Sequence, residues 1–412
     1  MDNLSHSLAG LAIGELLHRT LSPEENADFG LWRRRLILFS SWLASNFPDL
    51  DLLWSRLLPP PLGYLLHHRG HTHTFFYAVI EGALIFALCW LLWPAARKLV
   101  AASSSARTGL ILAITLGLVS HLAMDYLNSY GIHPFHPFNS RWYYGDLVFI
   151  IEPVFWIVFG IPVAMNIPNL PLRIAAVATL VGAPIYFTTQ GYLPWVSGGL
   201  LTLSALALGL LEHRKQSSRH AGGIAIGMGL ALAFILLQSV ASARAQNLVR
   251  HLTESRHSDA KLIDAALTSF PTNPLCWAFA SINADEQTGT YYLHRGILSL
   301  APHFMPSPQC PNLYGEEPQE NHAEFTIFSK TDGDLKLLRE LKASNCFLEA
   351  WLRFARIPLV TAELATDLRF RSRVNRADFS ALKFDDFTGQ QCPRSVPAWD
   401  FPRADLLLPK NN

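Results

Sequence analysis

The sequence is short of charge: Asp, Glu, Lys and Arg make up 16% of its 412 residues, and the formal net charge is only +1. No global positive field is therefore available to gather a polyanion. No basic stretch is interleaved with aromatic residues as a single-strand groove requires, so nucleic acid is not expected as a partner. Cysteine is also scarce, with five residues and no pair spaced CxxC, which argues against a zinc ribbon. The N-terminus lacks a basic stretch followed by an apolar run and a small-residue cleavage site, so no removable signal peptide is expected. A GxSxG elbow, a glycine-rich phosphate loop and a dinucleotide fingerprint are all missing, which turns the reading away from serine hydrolases and nucleotide enzymes.

What is abundant is apolar sequence, and it is unevenly spread. Residues 1–241 are dominated by long apolar runs, whereas 242–412 have ordinary mixed polarity. A bilayer crossing takes about 20 apolar residues. Candidates lie near 74–96, 108–128, 147–166, 193–211 and 221–241, with a sixth at 172–189 and a seventh at 36–56. A first helix near 7–18 is too short to span and is expected to pack into the bundle, because Gly10 and Gly14 have the small-xxx-small spacing that lets helices approach.

Counted as eight passes, the short loops alternate between two sides. One side holds Arg19, Arg33, Arg34, Arg35, Arg97, Lys98, Arg107, Arg173, Arg214, Lys215 and Arg219, eleven cations against six on the other (Arg56, Arg69, Arg141, Arg244, Arg250 and Arg256). The positive-inside rule makes the first side cytoplasmic. Cys276, Cys310, Cys346 and Cys392 then fall outside the cytoplasm, where two disulfides fit an oxidising space; four separate thiols are the alternative.

Ionisable groups near membrane segments are costly and need a reason. Here they gather on one side: His6, then Asp49 and Asp51 in NFPDLD, then His67, His68, His71 and His73 in HHRGHTHT, then His121 and Asp125, and after GIHPFHPF, Asp146 and Glu152. Each piece has a plainer reading. His121 and Asp125, four apart on one helical face, suit a structural hydrogen bond as well as two ligands. PDLD reads equally as a turn that ends one helix and caps the next. An isolated His6 near a terminus commonly does nothing, and the histidine run could handle protons instead of metal. Taken together, the set points to a divalent metal held by imidazole and carboxylate, zinc first, with manganese or iron as alternatives. The natural chemistry of such a site is hydrolysis with metal-activated water.

At these residues the chain resembles the YdjM-type family of bacterial inner-membrane proteins, described as membrane-bound metal-dependent hydrolases. The resemblance rests on His6, PDLD (Pro48, Asp49, Asp51), HRG-x-TH (His68, Arg69, Gly70, Thr72, His73), H-x-x-x-D (His121, Asp125), Tyr130, Gly131, Pro137, Phe138, Asp146, Glu152 and Pro153, and covers roughly residues 1–165. The order of ligand types is also distantly similar to the zinc-dependent phospholipase C and single-strand nuclease superfamily. The chain departs from that superfamily at its start, where no polar side chain stands in for the mature N-terminal amine.

The resemblance implies metal ligands at His6, Asp49, His68, His73, His121 and Asp125. Asp51, Arg69, His71, Asp146 and Glu152 are supporting or catalytic candidates. A phosphoester in a lipid-linked or membrane-proximal substrate is the implied bond, and the periplasmic face of the inner membrane the implied place. The alternative class is a non-enzymatic transporter or metal- and proton-handling membrane protein, which would hold its ionisable groups near mid-bilayer on broken helices.

The expected fold is an all-α polytopic membrane bundle followed by a small soluble α+β domain. Its expected parts are a metal-site helical region (1–165), further transmembrane helices (166–241) and the soluble domain (242–412). In the last, 243–267 reads as a helix leaving the membrane, 275–300 as a hairpin turning through Asp285 to Thr288, and 334–356 as one amphipathic helix. It carries no ligand cluster, so a lid, recognition or docking role is expected of it.

Overall fold

The computed structural model describes residues 1–214, 221–256, 259–312, 315–370 and 378–408. Lys215 and Arg219, used above for sidedness, lie outside the described residues.

Helix α1 (Asn3–Thr20) begins where the Asp2 side chain accepts the Ser5 N–H, and α2 (Ala27–Ala44) begins where Asn26 accepts from Asp28 and Phe29. A 3₁₀ segment, Phe47–Leu57, and the short α3 (Leu62–His67) follow. Next come α4 (Phe75–Leu92), α5 (Pro94–Ala102), α6 (Ser104–Tyr126), α7 (Pro153–Ala164), α8 (Leu170–Thr189), α9 (Trp195–His213) and α10 (Gly222–Glu254).

By length and apolar composition, α4, α6, α8, α9 and α10 can each cross a membrane. Two expected spans differ, and the first helix differs in length. The 36–56 segment breaks after Ala44 into the 3₁₀ segment, because Pro48 cannot continue the helix and Asp49 and Asp51 are drawn into a polar cluster. The 147–166 segment is helical only over the 12 residues of α7, about 18 Å against a hydrocarbon core of about 30 Å. The first helix is longer than expected, 18 residues, but is not apolar enough to count among the spans.

Small residues set how closely the bundle packs. A Cβ on Gly10 would lie 2.1 Å from Ser45 Oγ, and one on Gly117 of α6 would lie 2.7 Å from the Ala44 Cβ. Bare glycines thus let α1 and α6 close on the C-terminal end of α2, and this brings His6, Ser45 and His121 together. About 20 Å down α1 from His6, Arg19 pairs with Glu15 (3.0 Å) and Glu212 (3.3 Å), and Arg34 pairs with Glu15 (2.9 Å). The far end of the bundle therefore neutralises its own buried charge.

Beyond the bundle, α10 continues unbroken to Glu254, and Lys261 already starts a strand, so the expected helix over 243–267 is helix then strand. Strands β1 (Lys261–Phe270), β2 (Asn273–Asp285), β3 (Thr290–Ser299), β4 (Glu320–Asn321) and β5 (Phe325–Asp334) form an antiparallel sheet in the order β1-β2-β3-β5-β4. The β2–β3 hairpin pairs Asp285 with Thr290, and its turn is held by Asp285 accepting from Gln287 and Thr288. The expected helix over 334–356 is split into α11 (Leu335–Ser344) and α12 (Cys346–Leu352), because the Asn345 side chain accepts the Phe347 and Leu348 N–H groups and restarts the helix. A three-stranded sheet, β6 (Pro358–Val360), β7 (Leu364–Asp367) and β8 (Leu382–Lys383), and the turn-long α13 (Ala404–Leu407) complete the fold. Disulfides join Cys276 to Cys310 and Cys346 to Cys392, while Cys89 is a buried free thiol.

One apolar core runs across the junction between the bundle and these sheets. Leu62, Leu65 and Leu66 of α3, with Tyr130 and Trp142, pack with Trp351, Phe354 and Trp399. The C-terminal part is therefore seated directly on the histidine-bearing loops.

Candidate metal centre

Four buried side chains from three elements converge: Asp49 from the 3₁₀ segment, His73 from the loop entering α4, and His121 and Asp125 from α6. Each offers a ligand atom within 4.8 Å of the others. Their i,i+4 spacing puts the α6 pair on one face. His121 Nε2 and His73 Nε2 are 3.0 Å apart, and Asp125 Oδ2 lies 3.1 Å from His73 Nε2 and 3.7 Å from His121 Nε2. Asp49 Oδ1 is 3.6 Å from the first nitrogen and 3.7 Å from the second.

The surroundings fix which ring nitrogens carry protons. His121 Nδ1 lies 2.8 Å from the Ser45 carbonyl oxygen, which can only accept, so Nδ1 donates and Nε2 keeps a lone pair. The Thr72 hydroxyl donates to Asp51 Oδ2 at 2.9 Å, which leaves its oxygen to accept from His73 Nδ1 at 3.0 Å. His73 Nε2 therefore also faces inward with a lone pair. Asp125 Oδ2 is buried between Arg69 Nε at 3.0 Å and His73 Nε2 at 3.1 Å. Two imidazoles and two carboxylates thus meet in a dry place, an arrangement that draws positive charge.

Burial opposes ionisation of Asp49, but the His73 hydrogen bond and His121 overcome it and hold the carboxyl at about 2. Burial likewise opposes a charge on His73, yet Asp51 and the hydrogen bonds to Asp125 and Asp49 draw its pKa well above the usual imidazole value, so Nε2 holds a proton there unless a metal ion takes its place. The pocket attracts positive charge.

Of the other residues singled out by sequence, Asp51 organises the loop: it accepts the Arg69 N–H (2.8 Å) and the Thr72 hydroxyl, and it meets His68 Nδ1 at 3.0 Å. Asp49, Asp51 and His68 also form a second group of potential ligands. His6 stacks on His121 with ring centroids 4.0 Å apart and approaches Asp125 Oδ1 at 3.2 Å. Arg69, in a left-handed conformation (φ 59°), aims Nε at Asp125 Oδ2 (3.0 Å) and lies over the Tyr130 ring.

Three candidates are placed elsewhere. His71 turns away to His136 and Trp399, with ring centroids at 5.2 and 4.8 Å. Asp146 pairs with Arg356 (2.9 Å), and Glu152 accepts from the Thr272 N–H (3.0 Å) and hydroxyl (2.9 Å). The two carboxylates bind the C-terminal part to the bundle and are taken up by Arg356 and Thr272.

Sequence reasoning missed several participants. The main-chain nitrogen of Met1 contacts Asp125 Oδ1. Glu81 is buried in α4 with Oε2 unpartnered, and a lone acid in an apolar run was signal enough to find it. Asn128, three residues past Asp125, holds Arg69 Nη1 at 2.7 Å. Trp399 donates to the Leu66 carbonyl (2.8 Å) from more than 300 residues away, which no local pattern reveals.

Around the cluster the surface is apolar: Leu50, Leu53, Trp54 and Leu57 of the 3₁₀ segment are exposed, as are Phe75, Phe76 and Phe138. The segment thus buries its aspartates and turns its leucines outward.

Residues 1–196 match the YdjM inner membrane protein family. This YdjM-type region contains the whole cluster, and with the five apolar helices it marks a multi-pass membrane protein. The chain is also 27% identical over 157 residues to the Bacillus subtilis (strain 168) protein described as "Uncharacterized protein YfhP", a match covering 38% of this chain and 43% of that relative. The chain thus matches less than half the length of YfhP. No solved structure matches.

Glu152 permits a prediction apart from the metal. Burial raises its carboxyl to about 7, against the opposing Thr272 hydrogen bonds. Because the folded pKa lies above the unfolded value of 4.5, its contribution to stability is fullest below pH 4.5 and is lost as pH rises through about 7, by about 3 kcal/mol in all. Glu152→Gln should flatten the pH dependence of thermal unfolding between pH 5 and 8 and melt above wild type at pH 8. Parallel pH profiles for the two proteins would contradict this assignment.

Proposed function

We propose that the protein is a metal-dependent hydrolase of a phosphoester in a lipid-linked or membrane-proximal substrate. The observation that carries the reading is the buried convergence of Asp49, His73, His121 and Asp125, whose ligand atoms lie within 4.8 Å of one another. Asp49, His73, His121 and Asp125 would hold a divalent ion, zinc by the imidazole content, with His68 and Asp51 placed for a second. When bound, the ion supplies Lewis acidity and lowers the pKa of water toward 7.

The chain's own residues do the rest. Ser45 and Thr72 fix the ring tautomers, Asp51 holds the 68–73 loop, and Arg69 orients Asp125. His6, stacked on His121 with Nδ1 unpartnered, is positioned to carry a proton beside the cluster. The exposed leucines and Trp54 next to Asp49 suit a substrate presented at the bilayer surface.

The cation asymmetry and the paired cysteines support the site and the C-terminal part lying on the periplasmic face. A reporter active only in the periplasm, fused after Asn412, should be active; activity from a cytoplasm-only reporter there would reverse the orientation. The function is tested by assaying metal-replete protein on a phosphodiester and on lipid phosphates. Metal-dependent release of phosphate or alcohol is the expected outcome, and stoichiometric metal with no turnover on any phosphoester class would dismiss the hydrolase and favour metal handling.

A further inference from the structure

A cavity of about 290 Å³ lies between the bundle and the large sheet, one layer of side chains from the metal cluster. Tyr64 and Tyr130 form the shared wall, and their rings sit 5.0 and 5.8 Å from that of His68. The floor is the sheet face that carries Ala266, Thr268, Ala278 and Ala280. The register pairs Ala266 with Ala280 and Thr268 with Ala278, so four small side chains stand together and leave room above them. Phe149 and Ile150 close the bundle side, and Phe370 and Phe379 the other. Ile150 and Phe379 are exposed, which gives the mouth an apolar rim.

One polar group faces this space without a partner. The Asn128 carbonyl oxygen is clamped by Arg69 Nη1 (2.7 Å) and the Tyr130 N–H (2.9 Å), which fixes the amide plane. Its Nδ2 is buried and, among the described residues, donates to nothing. Among the described residues no carboxylate lines the cavity; Arg369 does, but its guanidinium is held by Asp367 and the Ser129 carbonyl. The open donor at the polar end is therefore Asn128 Nδ2, and Arg69 ties Asn128 to Asp125.

We propose that this cavity holds the substrate of the metal centre: an amphiphile with a phosphate ester head and a hydrocarbon chain. An oxygen of the head accepts from Asn128, and the chain lies on the alanine floor between Phe149 and Phe370. The proposal rests on the hydrolase reading for the reacting head group, and it gives the C-terminal sheet half of the binding site. Small apolar residues on a sheet face make the volume, aromatic side chains supply contact, and one oriented amide sets the head, as in most preformed small-molecule sites.

The test uses full-length protein in zwitterionic lipid nanodiscs and a decyl phosphonate with a diazirine at the chain end. Its P–C bond does not hydrolyse, so capture needs no turnover. Label competed by unlabelled decyl phosphonate should map to the peptides containing Phe279 and Phe379. Ala280→Trp should cut capture at least about tenfold, since an indole takes much of a site at the lower end of the usual ligand-pocket range. Asn128→Leu should lower it while disulfides and metal content stay intact, and Ala278→Leu serves if Ala280→Trp does not fold.

Label confined to the lipid-facing α4 and α8, or capture unchanged in folded cavity variants, overturns the proposal. Metal content is measured on the same samples. Capture without bound metal sinks the hydrolase reading and keeps the pocket; metal without capture sinks the pocket alone.

Discussion

His121→Ala, purified in detergent, should be folded, membrane-inserted and free of metal, and metal-dependent hydrolysis should fall to background. The substitution removes one of two inward lone pairs and leaves His73 to bridge Asp49 and Asp125 alone. It also empties space against His6, which stacks on that ring, so a folded fraction must be shown by its intact Cys276–Cys310 and Cys346–Cys392 pairs. Changes one step out should be milder. Asp51→Asn keeps the side-chain size but weakens the hold on Thr72, His68 and the Arg69 N–H, and about 10- to 100-fold in metal affinity is the expected loss. If His121→Ala keeps stoichiometric metal, the proposed ligand set is wrong.

The second large effect is expected at the junction, far from the cluster. Arg356 is buried, bonds Asp264 through Nε (2.7 Å) and Asp146 through Nη1 (2.9 Å), and covers the Tyr144 ring at 4.2 Å. Arg356→Ala would leave Asp146 buried without its cation, a change that costs about 3–5 kcal/mol when one partner of a buried pair is lost. Limited proteolysis should then cut between α10 and β1, and thermal unfolding should begin earlier. The double variant Arg356→Met with Asp146→Asn should recover much of the loss, because it removes the stranded charge as well. An Arg356→Ala protein as resistant as wild type would show that the apolar core across the junction suffices alone.

Much of this site was legible in the sequence because its chemistry is expensive in context. Aspartate and histidine beside apolar runs stand out, and the i,i+4 spacing of His121 and Asp125 and the density of the HHRGHTHT loop carry geometry directly. The β2–β3 hairpin was legible for a similar reason, as alternating apolar residues flank a turn closed by Asp285.

What could not be read depended on long-range closure. Asp146 and Glu152 looked like further site carboxylates because they follow the other motifs in the chain, yet their partners, Arg356 and Thr272, come from the C-terminal part. His71 sits in sequence among residues that face the cluster but turns to His136 and Trp399, and Trp399 comes from the far end of the chain. Helix limits failed where a side chain intervened: Asn345 divides α11 from α12, and Pro48 turns the end of an apolar run into a 3₁₀ segment. The donor at Asn128 was hidden because its role comes from what holds its other end.

The central claim is that two imidazoles and two carboxylates of the YdjM-type region hold a divalent ion. X-ray absorption at the metal edge of the metal-replete wild-type protein tests it most directly. The account predicts one or two ions per chain, with scattering from imidazole nitrogen and carboxylate oxygen at about 2.0–2.2 Å and no sulfur shell at about 2.3 Å. Protein that binds no metal under replete conditions, or metal bound through sulfur, would contradict it.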